Sequence, residues 1–409
     1  MKKLLLQLPL IIVLCGGIIY FARAMNDRDT KEVAKYAYTS AKSSKSSGLT
    51  GNDSNAKSNA NNNAENNAND KSNSNSGKSS DANTDSSTEV ESETPKETTS
   101  NSFEIKLSFI GDCLCATNEN THYANCFNDV ADVKDQSYFF KKVSSYFLND
   151  DFTIGDCENV YSDSKNLKVS DKGQYKDPNV EAYWFKSKAD NAGILSTGGI
   201  DCVSISNNHI NDYGQAGHED TRKALDKAGV LWGEEGKTVY YEKNGFKIAV
   251  ICVSMYGDGV VPTIIDYIEE EEKKSDYQII YFHGGTERLH APETWKVNAC
   301  HKLIDAGADL IMGDHPHVLQ PKEVYSGVTI IYSLGNFIFG GNRHPENRTI
   351  IYQHTLTIKD NVLSSQNGKV IPCYVYTGDT NNWQPAVIKD KNTKNKIFNF
   401  MKGKTDSPL

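Results

Sequence analysis

Six short apolar runs, each ending in glycine, carboxylate, amide or histidine, constrain this chain more than any other feature. Residues 103–110 lead into Gly111-Asp112, and 151–154 into Gly155-Asp156-Cys157-Glu158-Asn159. Residues 201–205 precede Ser206-Asn207-Asn208-His209, and 277–282 precede His283-Gly284-Gly285. Residues 308–312 run into Gly313-Asp314-His315-Pro316-His317, and 329–334 into Gly335-Asn336-Phe337. Runs this apolar predict strands covered on both faces. Between them, 215–228 and 294–306 have helical periodicity and close on Gly229 and Gly307, with Pro292 ahead of the second. Residues 137–148 predict a further helix. Strands alternating with helices indicate an α/β domain. Ligands of such domains bind beyond the carboxyl ends of the strands. The six polar endings are therefore expected to share one rim.

Two segments depart from this alternation. Asn244-Gly245 separates residues 239–241 from 246–253, and Ser326-Gly327 separates 323–325 from 328–332. Both read as antiparallel hairpins. Hairpins joined to βα units suggest a mixed sheet or a two-sheet sandwich.

The chain has 409 residues, and the run of strands begins only at 103. Residues 1–25 carry Lys2 and Lys3 before a mostly apolar stretch from Leu4 to Ala22, about the length of one membrane span. The lysine pair places the N-terminus on the cytoplasmic side. An uncleaved membrane anchor is the first reading; signal cleavage after Ala22-Arg23-Ala24, giving a secreted protein, is the alternative. Leu14 before Cys15 argues against a lipoprotein signal. Residues 26–102 are almost entirely Asn, Ser, Asp, Lys, Thr and Glu, with no apolar period, and read as a disordered polar linker. Residues 103–385 suffice for one large domain, and 386–409 read as a polar tail. Both readings of the N-terminus place the domain outside the cytoplasmic membrane.

A net charge of −9 argues against a general nucleic-acid binder. It does not exclude an anionic substrate, because a bound metal inverts the local field. Eight of the nine cysteines lie beyond residue 102 without zinc-knuckle spacing, and a Cys115–Cys126 disulfide stays open.

Asp112, Glu158, Asn208, His283, His315 and His317 form a mixed oxygen and nitrogen ligand set. Imidazole with carboxylate and amide oxygen suits Mn, Fe or Zn better than Ca. Such a metal activates water and polarises a phosphoryl or carbonyl oxygen. Asp212, three residues after His209, is placed to orient that ring as a general acid or transition-state donor. Taken singly, each residue has a plainer reading: Asp112 as a turn residue, His283 as a structural histidine. Asp156 is read as a supporting or turn residue. Six compatible groups, each at a strand end, favour one shared site.

These residues resemble the CapA family, named for a poly-γ-glutamate capsule synthesis protein, from about Phe103 to Phe339. Ser206-Asn207-Asn208-His209-Ile210-Asn211-Asp212-Tyr213-Gly214 is similar to its Ala-Asn-Asn-His…Asp-Tyr-Gly segment. Gly313-Asp314-His315-Pro316-His317-Val318 is similar to Gly-His-His-Pro-His-Val, and Tyr332-Ser333-Leu334-Gly335-Asn336-Phe337 to Tyr-Ser-Leu-Gly-Asn-Phe. The resemblance implies a metallophosphoesterase-like α/β fold, a two-sheet β-sandwich flanked by helices, with a dinuclear metal centre. It makes Asp112 and Glu158 the acidic ligands, Asn208 and His209 the Asn-His pair, His283 the isolated histidine, and His315 with His317 the final pair. Leu114 stands where many metallophosphoesterases have a histidine, so the expected cofactor is one or two divalent ions. Gly284 replaces a family tryptophan, which removes an aromatic wall.

The resemblance implies synthesis, transport or surface retention of an anionic polymer such as poly-γ-glutamate, with membrane-bound synthase subunits as partners. A metal-dependent phosphoesterase or amide hydrolase is the second expectation. A non-catalytic polymer-binding scaffold is the third.

Overall fold

The computed structural model describes residues 101–172 and 182–409. The expected anchor, residues 1–25, and all of the expected linker 26–102 except its last two residues lie outside the described residues; Ser102 already belongs to the first strand. Among those described, no helix is long and apolar enough to cross a membrane.

The chain enters on β1 (Ser102–Cys113) and β2 (Thr117–Asn118), then α1 (Phe127–Val133) and α2 (Ser144–Phe147). Next come β3 (Phe152–Cys157), β4 (Val160–Tyr161), β5 (Phe185–Ser187), α3 (Gly193–Gly198), β6 (Cys202–Ser204), α4 (Gly214–Ala228) and β7 (Leu231–Gly233). The second half runs β8 (Val239–Lys243), β9 (Phe246–Ser254), α5 (Val261–Glu271), β10 (Tyr277–His283), α6 (Thr294–Asp305) and β11 (Leu310–Asp314). It closes with β12 (Leu319–Tyr325), β13 (Val328–Leu334), β14 (Arg348–Lys359), β15 (Val362–Tyr374), β16 (Ala386–Val387) and α7 (Lys391–Met401).

A seven-stranded sheet has the order β16-β15-β14-β1-β3-β6-β7, and a six-stranded sheet the order β12-β13-β11-β10-β9-β8. They stack face to face as the expected two-sheet sandwich. Alternation along the strands explains the four layers. Ile279 and Tyr281 on β10 join Ile105, Leu107 and Phe109 of β1 between the sheets. Ile280 and Phe282 point the other way, onto Ile264 and Ile268 of α5 and Leu303 of α6. On the far side, Ile110 and Val203 meet Phe140, Leu195 and Leu225. Both sheets are thus covered on both faces, which is why their strands read as continuous apolar runs.

Parallel pairing brings the strand ends together. β1, β3 and β6 are parallel in one sheet, and β9, β10, β11 and β13 in the other. Both predicted hairpins form, with Asn244 and Gly245 at φ 53° and 86° between β8 and β9, and Ser326 and Gly327 at 47° and 86° between β12 and β13. A three-stranded sheet, β2-β5-β4, stands apart from the sandwich.

Two expectations are corrected. Residues 137–148 are not one helix: a 3₁₀ turn at Gln136–Tyr138 and the short α2 flank an irregular bend. Successive helical residues point about 100° apart, and the bend lets adjacent Phe139 and Phe140 both be fully buried. The segment 386–409 is no free tail. β16 pairs with β15, and α7 sends Ile397, Phe400 and Met401 into the core between the sheets. The helix reads as polar because its first two turns, Lys391 to Lys396, carry no apolar residue. All eight cysteines of the described residues are free and buried, so Cys115 and Cys126 are not joined.

Candidate metal centre

Strand register assembles the rim. On β1 and β3, Asp112 stands opposite Asp156; on β10 and β11, His283 stands opposite Asp314. These four side chains are fully buried, and their ligand atoms lie within 4.8 Å of one another. Glu158, the first residue after β3, groups in the same way with His315 and His317. The two groups touch: Glu158 Oε1 is 3.7 Å from His283 Nε2, and His317 Nδ1 is 3.3 Å from Asp112 Oδ2. His315 Nδ1 and His283 Nε2 are 3.0 Å apart.

The two-histidine loop is held in a conformation that side chains avoid. His315 has φ 86° and His317 φ 59°. Residues in this left-handed region cost of order 1–3 kcal/mol each and persist only where the surroundings impose them. Here the His315 amide donates to Asp112 Oδ1 at 3.2 Å, and Asn342 Nδ2 donates to the His317 carbonyl at 3.0 Å. His317 Nδ1 lies 2.8 Å from Asn336 Oδ1, and Asn336 also donates to Asn342.

Several of these atoms have no hydrogen-bond partner. Both Glu158 oxygens, His283 Nδ1 and Asp314 Oδ1 are buried and unbonded. A buried polar atom left unsatisfied costs about 1–3 kcal/mol. His283 Nδ1 nevertheless sits 2.9 Å from Asp314 Oδ1, 3.5 Å from Asp112 Oδ1 and 3.6 Å from Asp156 Oδ2. Lone-pair atoms that converge without bonding one another fit a cation between them. Imidazole with carboxylate suits Mn, Fe or Zn.

The charge balance says the same. Burial, then the neighbouring carboxylates, drives Asp156, Glu158 and Asp314 well above the usual carboxyl range. Burial pushes Asp112 upward too, but His317, His283 and His315 outweigh it and hold the group low. Burial drops His283 to about 3 and His315 to about 2, so both rings stay neutral, the form that binds metal.

Beside the two groups stands a proton-handling unit. His209 Nδ1 is 2.9 Å from Asp212 Oδ2, and His209 Nε2 is 3.8 Å from Glu158 Oε1. Asp212 is fixed by the Phe185 amide at 2.8 Å and by Lys172 Nζ at 2.5 Å. Burial lowers the His209 pKa against the pull of Asp212. A neutral ring donating from Nδ1 to Asp212 leaves a lone pair on Nε2, facing the rim.

Every residue singled out in the sequence reaches this rim. Asn208 enters through its side-chain oxygen, 2.9 Å from His283 Nε2 and 3.0 Å from the Tyr256 hydroxyl. Sequence reasoning missed Asp314, Asn336, Tyr256 and Lys172, and undervalued Asp156. Asp156 and Asp314 carried the same strand-end signal as their in-register partners. Lys172 and Tyr256 come from loops with no such signal.

Fold and site together define a helix-flanked α/β sandwich with a candidate divalent-metal centre at its strand ends. Within that class, the chain belongs to the bacterial capsule synthesis protein family PGA_cap, whose model matches residues 106–341. It is 31% identical to the PGA biosynthesis protein CapA of Bacillus subtilis over 257 residues, 58% of this chain and 63% of that one. It is 27% identical to the capsule biosynthesis protein CapA of Bacillus anthracis over 290 residues, 64% of this chain and 66% of that one. The chain thus spans just under two thirds of the length of these curated relatives. A hypothetical protein from Thermus thermophilus overlays on 66% of this chain and 99% of its own, with TM-score 0.38 and 16% identity. That overlay adds nothing to the fold described above.

Proposed function

We propose that this chain acts at the outer face of the cytoplasmic membrane in making, exporting or retaining an anionic polymer of the poly-γ-glutamate type. The family match, with relatives named for this biosynthesis, supports the polymer. The apolar stretch from Leu4 to Ala22 and the polar linker behind it support an anchored, extracellular domain. Membrane-bound synthase subunits are its natural partners.

The observation that carries a chemical role is the set of unbonded donors around His283, Asp314 and Glu158. Asp112, Asp156, His283 and Asp314 would hold one divalent ion, and Glu158, His315 and His317 a second. A bound ion supplies Lewis acidity, acidifying water and polarising an amide or phosphoryl oxygen. His209 takes or returns a proton at Nε2, while Asp212 and Lys172 fix the ring. The buried walls keep bulk water from the donors.

A metal-dependent hydrolase is favoured over a bare scaffold by the His209–Asp212–Lys172 arrangement, which polymer binding alone does not need. Deletion in a polymer-producing strain tests the proposal, with complementation by wild type or His315→Ala. Wild type restores surface polymer and the variant does not. Unchanged polymer amount and attachment after deletion contradict the proposal. Full restoration by His315→Ala removes the metal from it.

A further inference from the structure

Residues 114–126 carry the chain from β1 to α1, and much of that path is pinned. The Glu119 amide donates to the Trp184 carbonyl at 2.7 Å, the Asn128 amide to Thr117 Oγ1 at 3.0 Å, and Trp383 Nε1 to the Asn125 carbonyl at 3.0 Å. There an imidazole nitrogen of His122, the sulfur of Cys126 and a carboxylate oxygen of Asp129 lie within 4.8 Å of one another. None of the rim residues takes part. Cys126 is fully buried and its thiol is free; it precedes α1 without capping it. His122 Nε2 is 3.0 Å from Asp129 Oδ1, with the His122 side chain 75% exposed.

We propose that His122, Cys126 and Asp129 form a separate site for a borderline-soft divalent cation, zinc above all. A thiolate with an imidazole selects against calcium and magnesium, which take oxygen ligands. Zinc bonds of about 2.0–2.3 Å at tetrahedral angles put ligand atoms about 3.3–3.8 Å apart. At 3.0 Å the His122–Asp129 pair must open slightly, while the Cys126 sulfur, within 4.8 Å of both, draws in. The three ligands fall within eight residues of sequence, so little loop entropy opposes the chelate. Water from the exposed side completes the coordination. Binding exchanges the thiol proton for the metal, and that proton leaves to solvent. The bound ion would fasten the segment whose β2 pairs with β5, and β5 carries Phe185 against the His209 ring at 4.7 Å.

Cobalt(II) tests this, because only a thiolate ligand gives an intense near-ultraviolet sulfur-to-cobalt band. The full chain, stripped of metal and titrated with cobalt, should show that band. Cys126→Ser should abolish it. His122→Ala, an exposed change that leaves the core intact, should weaken cobalt binding at the band by about tenfold or more. His315→Ala should leave the band unchanged, which separates this site from the rim. No band in the wild type, or a band that survives Cys126→Ser, overturns the proposal.

Discussion

His283 Nδ1 and Asp314 Oδ1 face each other at 2.9 Å on adjacent parallel strands, and neither makes a hydrogen bond. Parallel register puts them there. Their lone pairs are aimed at a common point instead of at each other, and that geometry organises the account of the rim.

Replacing Asp314 by Asn tests the geometry. The amide oxygen still accepts from the Tyr281 hydroxyl, now 2.8 Å from Asp314 Oδ2. The change removes one of four buried carboxyls, so the metal-free variant should be as stable as wild type or about 1 kcal/mol more stable. Its metal affinity should drop at least about tenfold. Thermal unfolding with and without chelator reads both effects. A metal-free variant several kcal/mol less stable would mark Asp314 as a structural residue.

Asp212→Asn separates proton handling from metal binding. The amide cannot serve Lys172 and His209 as the carboxylate does. Metal content should be unchanged, while turnover of any substrate falls about 100-fold or more. Equal turnover in variant and wild type would remove His209 from the chemistry.

pH dependence follows from the direction of the shifts. Asp156, Glu158 and Asp314 have folded pKa values raised by burial and like charge. In the metal-free chain their protonated forms stabilise the fold, and that contribution is lost as pH rises above the ordinary carboxyl range, near 4. His283 and His315, depressed to about 3 and about 2, act the other way: their contribution is present above the ordinary histidine pKa and lost as pH falls below it. At the rim, metal must displace protons only from the carboxyls. The stabilisation on adding metal should therefore be larger at about pH 8 than at about pH 6. Melting curves at both values decide it, and a larger gain at the lower pH contradicts the assignment.

Gly284 tests the path from sequence to site. A Cβ there would stand 1.8 Å from the Met255 carbonyl oxygen. This chain therefore has no room for the tryptophan expected from the family pattern, and the missing aromatic wall is a packing requirement of β10 against the end of β9. Gly284→Ala should cost about 1–3 kcal/mol and displace His283, lowering metal affinity as well. Calorimetry with metal titration reads both, and an unperturbed variant would show that the loop yields freely.

The sandwich was legible because its strands are covered on both faces, so Tyr277–His283, broken only by Gln278, and Leu310–Asp314 read as largely apolar runs with a polar end. The hairpins were legible through Asn244-Gly245 and Ser326-Gly327, whose positive φ needs such residues. α7 was hidden because Ile397, Phe400 and Met401 are its only buried residues among lysines and asparagines. Asp314 was masked by the two histidines after it, which drew the whole ligand signal. Lys172 reaches Asp212 from 40 residues upstream, and no local pattern encodes that contact.

Metal analysis of the full chain carrying Cys126→Ser, so that only the rim is counted, tests the central claim most directly. After chelation and reloading with Mn, Fe or Zn, that chain should retain one or two tightly bound ions. Adding Asp112→Ala and His315→Ala should remove them. A chain that folds normally yet holds no ion at the rim, or holds the same number after both substitutions, would contradict the account.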